Sequence, residues 1–361
     1  MSDITRETPN FTINLNILKQ NFNTFKDNLI NKNDIIAYAI KANYSSYIIN
    51  CLNLLGSYFE VSSFFEFQKL INLGISANKI IINGYISNNE QLKKYISSKA
   101  LLIVESENIL HQLIDLNVSC NIGLRINLDY LKKDDDKFHI KNTRFGIRLD
   151  EKIVNIIKNN TKINLVCLQS HNSNHTKEPQ TYQKIASELC NLIKTYKLNS
   201  IQFLNLGGGY KIAQNFYTFK EYVFYINKAL IENNMQNISI IYEPGNSLTR
   251  TIATYTTKVI DKKIIDEYIY IILDGTKHHI SHDNNNLVFP FKIIYKNKNK
   301  SIINKQILTG CTCKTFDIFL ELINSEELNI NDEVIFFETG AYTINKAPIF
   351  LIDQPQIYFN K

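Results

Sequence analysis

The chain lacks the marks of an exported, membrane-bound or nucleic-acid-binding protein. Its first residues, Met1-Ser2-Asp3-Ile4-Thr5-Arg6-Glu7, do not form the charged-then-apolar pattern of a signal peptide. No apolar run is long enough to span a bilayer, which excludes a transmembrane helix. Six cysteines show no disulfide-scaffold spacing, and Cys311 and Cys313 lack the second pair a zinc site needs. The expectation is a metal-free cytosolic protein with reduced thiols. Net charge is +6, but acids and bases are interspersed, as in Lys132-Lys133-Asp134-Asp135-Asp136-Lys137, which reads as a solvated loop. No basic stripe interleaves with aromatics, so a nucleic-acid partner is not expected. Low-complexity linkers and tandem repeats are also missing. What remains is 361 residues, 44% hydrophobic and 20% charged, enough for a large core in two domains.

Residues 8–15 read as a strand, followed by an amphipathic helix near 16–31. Apolar strand-like runs then recur at 35–40, 58–62, 79–83, 101–104, 121–126, 164–170, 201–206 and 238–242. Most gaps carry a helical pattern, with Phe67, Leu70 and Ile71 on one apolar face and Ile185, Leu189 and Leu192 on another. The longest gap, 127–163, holds the charged loop and one helix. Eight strands alternating with helices predict an α/β fold, a (β/α)8 TIM barrel. After Pro244-Gly245 the rhythm changes to strands at 253–259, 268–273, 289–295, 305–308, 334–338 and 356–359, with only 316–325 looking helical. The barrel is placed at 27–248, and 1–26 plus 249–361 form a mostly β second domain.

In such barrels the chemistry sits at the C-terminal strand ends. The first strand ends on Lys41, within Tyr38-Ala39-Ile40-Lys41-Ala42-Asn43. A lysine there either snorkels to solvent or, partly desolvated, becomes a nucleophile toward carbonyls. Glu60 ends the second strand, Arg125 lies on the fifth, and His171 ends the sixth. Gly207, Gly208 and Gly209 follow the seventh, and Glu243-Pro244-Gly245 ends the eighth. Three glycines make a flexible turn or an anion cradle of successive N–H groups. His171 alone is a structural histidine, and Glu243 alone an ion-pair partner. Together, lysine, cradle, imidazole and buried carboxylate describe a pyridoxal phosphate site. The lysine forms a Schiff base, the imidazole stacks on the ring, and the carboxylate keeps the ring nitrogen protonated.

These motifs, with Gly310-Cys311-Thr312-Cys313 and Gly340-Ala341-Tyr342-Thr343, stand in an order that resembles the fold-type III pyridoxal-phosphate decarboxylases of ornithine, diaminopimelate and arginine. The resemblance runs over nearly the whole chain. It implies an alanine racemase-like barrel plus β domain, and a homodimer with shared active sites. It also implies that Lys41 holds the cofactor, that Gly207–Gly209 and Tyr342 grip its phosphate, and that Arg125 lies near the ring. Glu60 takes a place usually held by aspartate, and Cys313 of the partner subunit protonates the carbanion.

Three departures stand out. Asn246 replaces the arginine that usually follows Glu-Pro-Gly, leaving Ser247 or Arg250 to compensate. His171-Asn172-Ser173-Asn174 replaces a histidine-any-glycine-serine pattern. Lys314 replaces an acidic residue that meets the substrate's distal amine. A cation there repels a free ammonium and attracts a carboxylate. The small-molecule substrate is therefore expected to carry an acidic cap on its distal amine, with Asp274 and Lys314 as its contacts. The stretch Asp274-Gly275-Thr276-Lys277-His278-His279 also resembles siderophore-pathway members of the family, and N-citrylornithine, giving N-citrylputrescine, is the specific expectation. Free ornithine, lysine or diaminopimelate is the alternative. An alanine-type racemase would carry arginine rather than Glu243 at the ring nitrogen. A non-catalytic relative would have no reason to keep Lys41, Glu243, Cys313 and Tyr342.

Overall fold

A computed structural model describes residues 6–128, 144–171, 178–212, 217–281, 288–297 and 301–360. The charged loop at 132–137 and residues 172–174 lie outside the described residues. The chain divides into two compact units, Lys19–Ser247 and Met1–Leu18 with Leu248–Lys361.

The larger unit is a closed barrel of eight parallel strands. They are β2 (Ile35–Ala39), β3 (Tyr58–Val61), β4 (Ile80–Ile82), β5 (Leu101–Val104), β6 (Cys120–Arg125), β7 (Ile163–Gln169), β8 (Phe203–Asn205) and β9 (Ser239–Tyr242). Parallel strands covered on both faces must be apolar almost throughout, which is why these runs stand out in the sequence. The helices start where short polar side chains can accept a first-turn N–H. Ser63, Asn88, Ser106, Asp150 and Thr218 each do so. Ile185, Leu189 and Leu192 are buried on one helix face as expected. Ile71 is not: Phe67 and Leu70 are buried, while Ile71 is 40% exposed, so that face is narrower than the pattern suggested.

Alternation along the strands sorts the barrel interior into layers. Ala37, Ile81, Ile103, Cys167 and Ile241 pack as one apolar cluster, with Ile35, Tyr58, Leu101 and Phe203 against it. Two residues further along every strand but β2, where Ala39 stands, the same inward side carries Glu60, Asn83, Glu105, Arg125, Gln169, Asn205 and Glu243. The barrel is thus apolar in its middle and lined by a polar ring at its C-terminal mouth.

The second unit is an eight-stranded sheet. It comprises β1 (Asn10–Asn14), β10 (Ala253–Ile265), β11 (Tyr268–Leu273), β12 (Phe291–Ile294), β13 (Ile302–Thr309), β14 (Ile318–Glu326), β15 (Glu333–Phe336) and β16 (Gln356–Asn360). Phe11, Tyr255, Val259, Leu273, Leu308, Phe319, Val334 and Phe336 form its core. β1 pairs antiparallel with β10 and parallel with β16, so the N-terminal strand joins this sheet.

One expectation fails here. Of residues 316–325, read as helical, 318–325 lie in β14, antiparallel to β13 from Ile302↔Glu326 to Thr309↔Ile318. Phe316, Leu320 and Ile323 fit a helical spacing, but Phe316 and Ile323 are 59% and 58% exposed. The edge of β13 needs a partner for its backbone groups, and that demand overrides local propensity.

Candidate functional site

Lys41 sits in a single 3-10 turn directly after β2. Its Nζ donates to Glu60 Oε2 at 2.5 Å and to Ser62 Oγ at 3.0 Å. Ser62 Oγ donates in turn to Glu60 Oε1 at 2.9 Å, closing a three-membered ring of hydrogen bonds. Glu60 is 1% exposed, while the lysine side chain remains 43% exposed, so the amine faces the mouth from a fixed anchor. Glu66 accepts the Ser62 backbone N–H at 2.7 Å, and burial pushes its carboxyl pKa up.

On the neighbouring strand, Glu243 follows β9. Asn205 Nδ2 donates to Glu243 Oε1 at 2.6 Å, and Asn205 Oδ1 accepts from Gly207 N at 2.9 Å. One buried amide therefore fixes both the carboxylate and the start of the glycine loop. Burial and the neighbouring Glu60 push the Glu243 pKa up to about 7, against the opposing pull of Lys41, Asn205 and Arg125. Asn205→Ala removes two buried hydrogen bonds and leaves a cavity. It is expected to lower unfolding free energy by about 2–4 kcal/mol, as measured by urea denaturation.

The glycine loop is built for close approach. A Cβ at Gly208 would lie 2.2 Å from the Glu243 carbonyl oxygen, and one at Gly207 would lie 2.2 Å from His171 Nδ1. Gly207 and Gly209 also take φ of +67° and +87°, where side chains are strained. Tyr210 and Tyr182, stacked 5.2 Å apart, donate their hydroxyls to the carbonyls of Gly207 and Gly208, each at 2.8 Å. The expected cradle of three successive free N–H groups is corrected in detail. Gly207 N–H is bound by Asn205 and Gly208 N–H by His171 Nδ1 at 3.2 Å, so two of the three are engaged within the protein. Accepting at Nδ1, the neutral His171 ring carries its proton on Nε2. Gly245 packs against Ala42 and Ala39, its hypothetical Cβ 3.2 Å and 3.4 Å from theirs. Asn246, exposed, opens a single helical turn, Asn246–Thr249.

Arg125 at the end of β6 reaches Glu105 Oε2 at 3.4 Å and lies 4.5 Å over the Phe145 ring. Four ring residues, Asn83, Glu105, Gln169 and Asn205, were not picked out from the sequence. A signal for them existed in strand parity: each stands two positions past an inward-facing apolar residue or, on β4 and β5, past Ile81 and Ile103.

The remaining expected residues belong to the β unit. The Asp274 carboxylate is engaged there, accepting from Thr8 Oγ1 at 2.5 Å and from the Lys258 N–H at 2.9 Å. Cys313 is exposed, and Lys314 Nζ lies 4.5 Å over the Phe350 ring. Among the described residues no carboxylate pairs with the Lys314 ammonium. Their loop is organised by Asp317, which is 2% exposed. Its carboxylate accepts from Thr276 Oγ1, the Lys277 N–H and Thr312 Oγ1 at 2.9, 2.9 and 2.6 Å. A Cβ at Gly310 would collide with it at 2.2 Å. Tyr342 takes a left-handed φ of +58°, with the Lys346 ammonium 5.8 Å over its ring. Arg250, a candidate to replace the missing arginine, is salt-bridged to Glu338 at 2.5 Å.

A family profile described as "Pyridoxal-dependent decarboxylase, pyridoxal binding domain" matches residues 15–250. Diaminopimelate decarboxylase of Helicobacter pylori strain J99 is 24% identical over 365 residues, covering 95% of this chain and 87% of that protein. Ornithine decarboxylase of Mus musculus is 24% identical over 359 residues, covering 89% and 74%. Among solved structures, H. pylori diaminopimelate decarboxylase with L-lysine superposes with a TM-score of 0.84 at 19% identity, covering 99% of this chain and 92% of that one. Lysine/ornithine decarboxylase from Vibrio vulnificus with cadaverine gives 0.82 at 20%, covering 98% and 93%.

Proposed function

The chain belongs to the pyridoxal-dependent decarboxylase family, and from that premise we propose that it removes the α-carboxylate of an amino acid whose distal amine carries an acidic cap. N-Citrylornithine, yielding N-citrylputrescine in a rhizoferrin-type siderophore pathway, is the specific substrate of this reading. The protein is a carboxy-lyase, and pyridoxal phosphate is its cofactor.

The residues at the barrel mouth fit that cofactor. Lys41 offers an amine held against Glu60, Glu243 offers a buried carboxylate, and the glycine loop offers a close backbone approach. Gln169 adds a fully buried amide with no hydrogen-bond partner among the described residues. When bound, pyridoxal phosphate takes up the electron pair released as the bond between Cα and the carboxylate breaks. In this reading Lys41 would hold the cofactor through its Nζ, and Glu60 with Ser62 would hold that amine when it is free. Glu243 would supply the carboxylate partner for the ring nitrogen. His171, its Nδ1 fixed by Gly208, presents its ring to the cofactor face. The Gly209 end of the loop and Tyr342 take the phosphate, and Arg125 borders the ring. Cys313 of the partner subunit returns a proton to Cα within a homodimer. The six free cysteines accord with a reducing cytoplasm.

The observation that carries the capped substrate is the state of Lys314. Its ammonium is held over an aromatic face rather than neutralised by a carboxylate, so it remains available to an anion. The test is purified holoenzyme offered ornithine, lysine, diaminopimelate and N-citrylornithine, with released carbon dioxide followed. The capped substrate is expected to win in kcat/KM, and Lys314→Asp is expected to lower its kcat/KM about tenfold or more while improving that of ornithine. A wild-type preference for free ornithine, lysine or diaminopimelate would replace the capped substrate with the winner.

A further inference from the structure

We propose that Gln169 is a cofactor contact, its carboxamide pairing with the 3-hydroxyl of pyridoxal phosphate. The proposal rests on the cofactor assignment and is independent of the substrate.

Gln169 ends β7, its Cα in register with Arg125 on one neighbouring strand and Asn205 on the other. By alternation it shares their inward side, within the polar ring. Most of the other ring members are engaged by the protein. Glu60 binds Lys41 and Ser62, Asn205 binds Glu243 and the Gly207 N–H, and Arg125 binds Glu105 and lies over Phe145. Gln169 differs. It is 0% exposed, and among the described residues neither its Nε2 nor its Oε1 has a hydrogen-bond partner, whereas Asn83 and Glu105 each leave one oxygen unmet. Burying an amide with both ends unmet costs folding free energy, and native proteins rarely tolerate it unless a ligand, an ion or an ordered water completes the pairing. Apolar residues fill the layer directly beneath, so the chain had an apolar alternative at this depth.

The chemistry of the cofactor narrows what that partner is. Its phosphate calls for N–H groups, which this reading assigns to the Gly209 end of the glycine loop. The ring nitrogen calls for a carboxylate, and the aldehyde for the Lys41 amine. The phenolic hydroxyl remains. It both donates and accepts, as a carboxamide does.

The test is titration of wild-type, Gln169→Leu and Gln169→Met apoproteins with pyridoxal phosphate and with 3-deoxypyridoxal phosphate, following cofactor absorbance. Wild type is expected to prefer the natural cofactor by on the order of tenfold, the scale of one or two neutral hydrogen bonds. Both variants are expected to lose that preference. They are also expected to shift the ratio of the two absorbance bands that report where the phenolic proton sits. At the same time their apoproteins should unfold at higher urea than wild type, because the unmet amide is gone. A structural glutamine would weaken folding without touching the preference. Variants that keep the wild-type preference and band ratio would overturn the proposal alone. A wild-type protein that takes up no pyridoxal phosphate would overturn the cofactor assignment along with it.

Discussion

Lys41→Ala is expected to stop carbon dioxide release, with kcat falling at least about a thousandfold, the scale on which deleting a covalent nucleophile acts. The geometry makes this residue hard to replace. Its amine is fixed by a 2.5 Å bond to buried Glu60 and a 3.0 Å bond to Ser62, so no other amine inherits its position. Borohydride reduction followed by peptide mapping should leave a pyridoxyl group on the Lys41 peptide of wild type and none in the variant. Lys41→Arg separates chemistry from folding. It keeps a cation against Glu60 and should unfold near the wild-type denaturant concentration, while remaining inactive. An active Lys41→Arg would remove the covalent role from this position.

Glu243→Gln is expected to move activity and stability in opposite directions. The carboxylate is buried beside Glu60, and in the folded apoprotein it keeps its proton up to about pH 7 rather than the ordinary 4.5. Between those values the folded chain holds a proton that the unfolded chain has released, so raising the pH favours unfolding. The linkage amounts to about 3 kcal/mol of stability present below pH 4.5 and lost as pH rises through 7. Glutamine preserves the Asn205 hydrogen bond and carries no charge. The variant apoprotein should therefore match wild type near pH 4.5 and exceed it at pH 8, in urea unfolding measured across that range. With cofactor bound the carboxylate gains its purpose, and the same variant should lose on the order of 10²- to 10³-fold in kcat. Parallel stability curves for the two proteins would show that Glu243 does not titrate where its surroundings place it.

The barrel was legible because covered parallel strands leave a simple trace, an apolar run punctuated by helix caps. Lys41, Glu60 and Glu243 were legible because each breaks such a run at its C-terminal end. Asn83, Glu105, Gln169 and Asn205 break their runs too, but their meaning depends on which side of the strand they occupy, and that emerges only when strand phase is counted from the apolar layer. The glycine loop shows a different limit. Which N–H groups stay open depends on Asn205 and His171, partners two and 37 residues away in sequence. β14 was misread because its apolar residues satisfy both spacings, and only the waiting edge of β13 decides between them. Asp317 carried no local signal, since its role is to tie the 310–317 loop to the 275–277 turn.

The parallel pairing of β1 with β16 bears on how the polypeptide is made. Asn10 to Asn14 lie against Gln356 to Asn360, so one flank of the first strand stays bare until residues 356–360 have been made. The barrel strands emerge in between and can close among themselves. Until residues 356–360 clear the ribosome, that flank of β1 is an open edge that a chaperone or a neighbouring nascent chain could meet first.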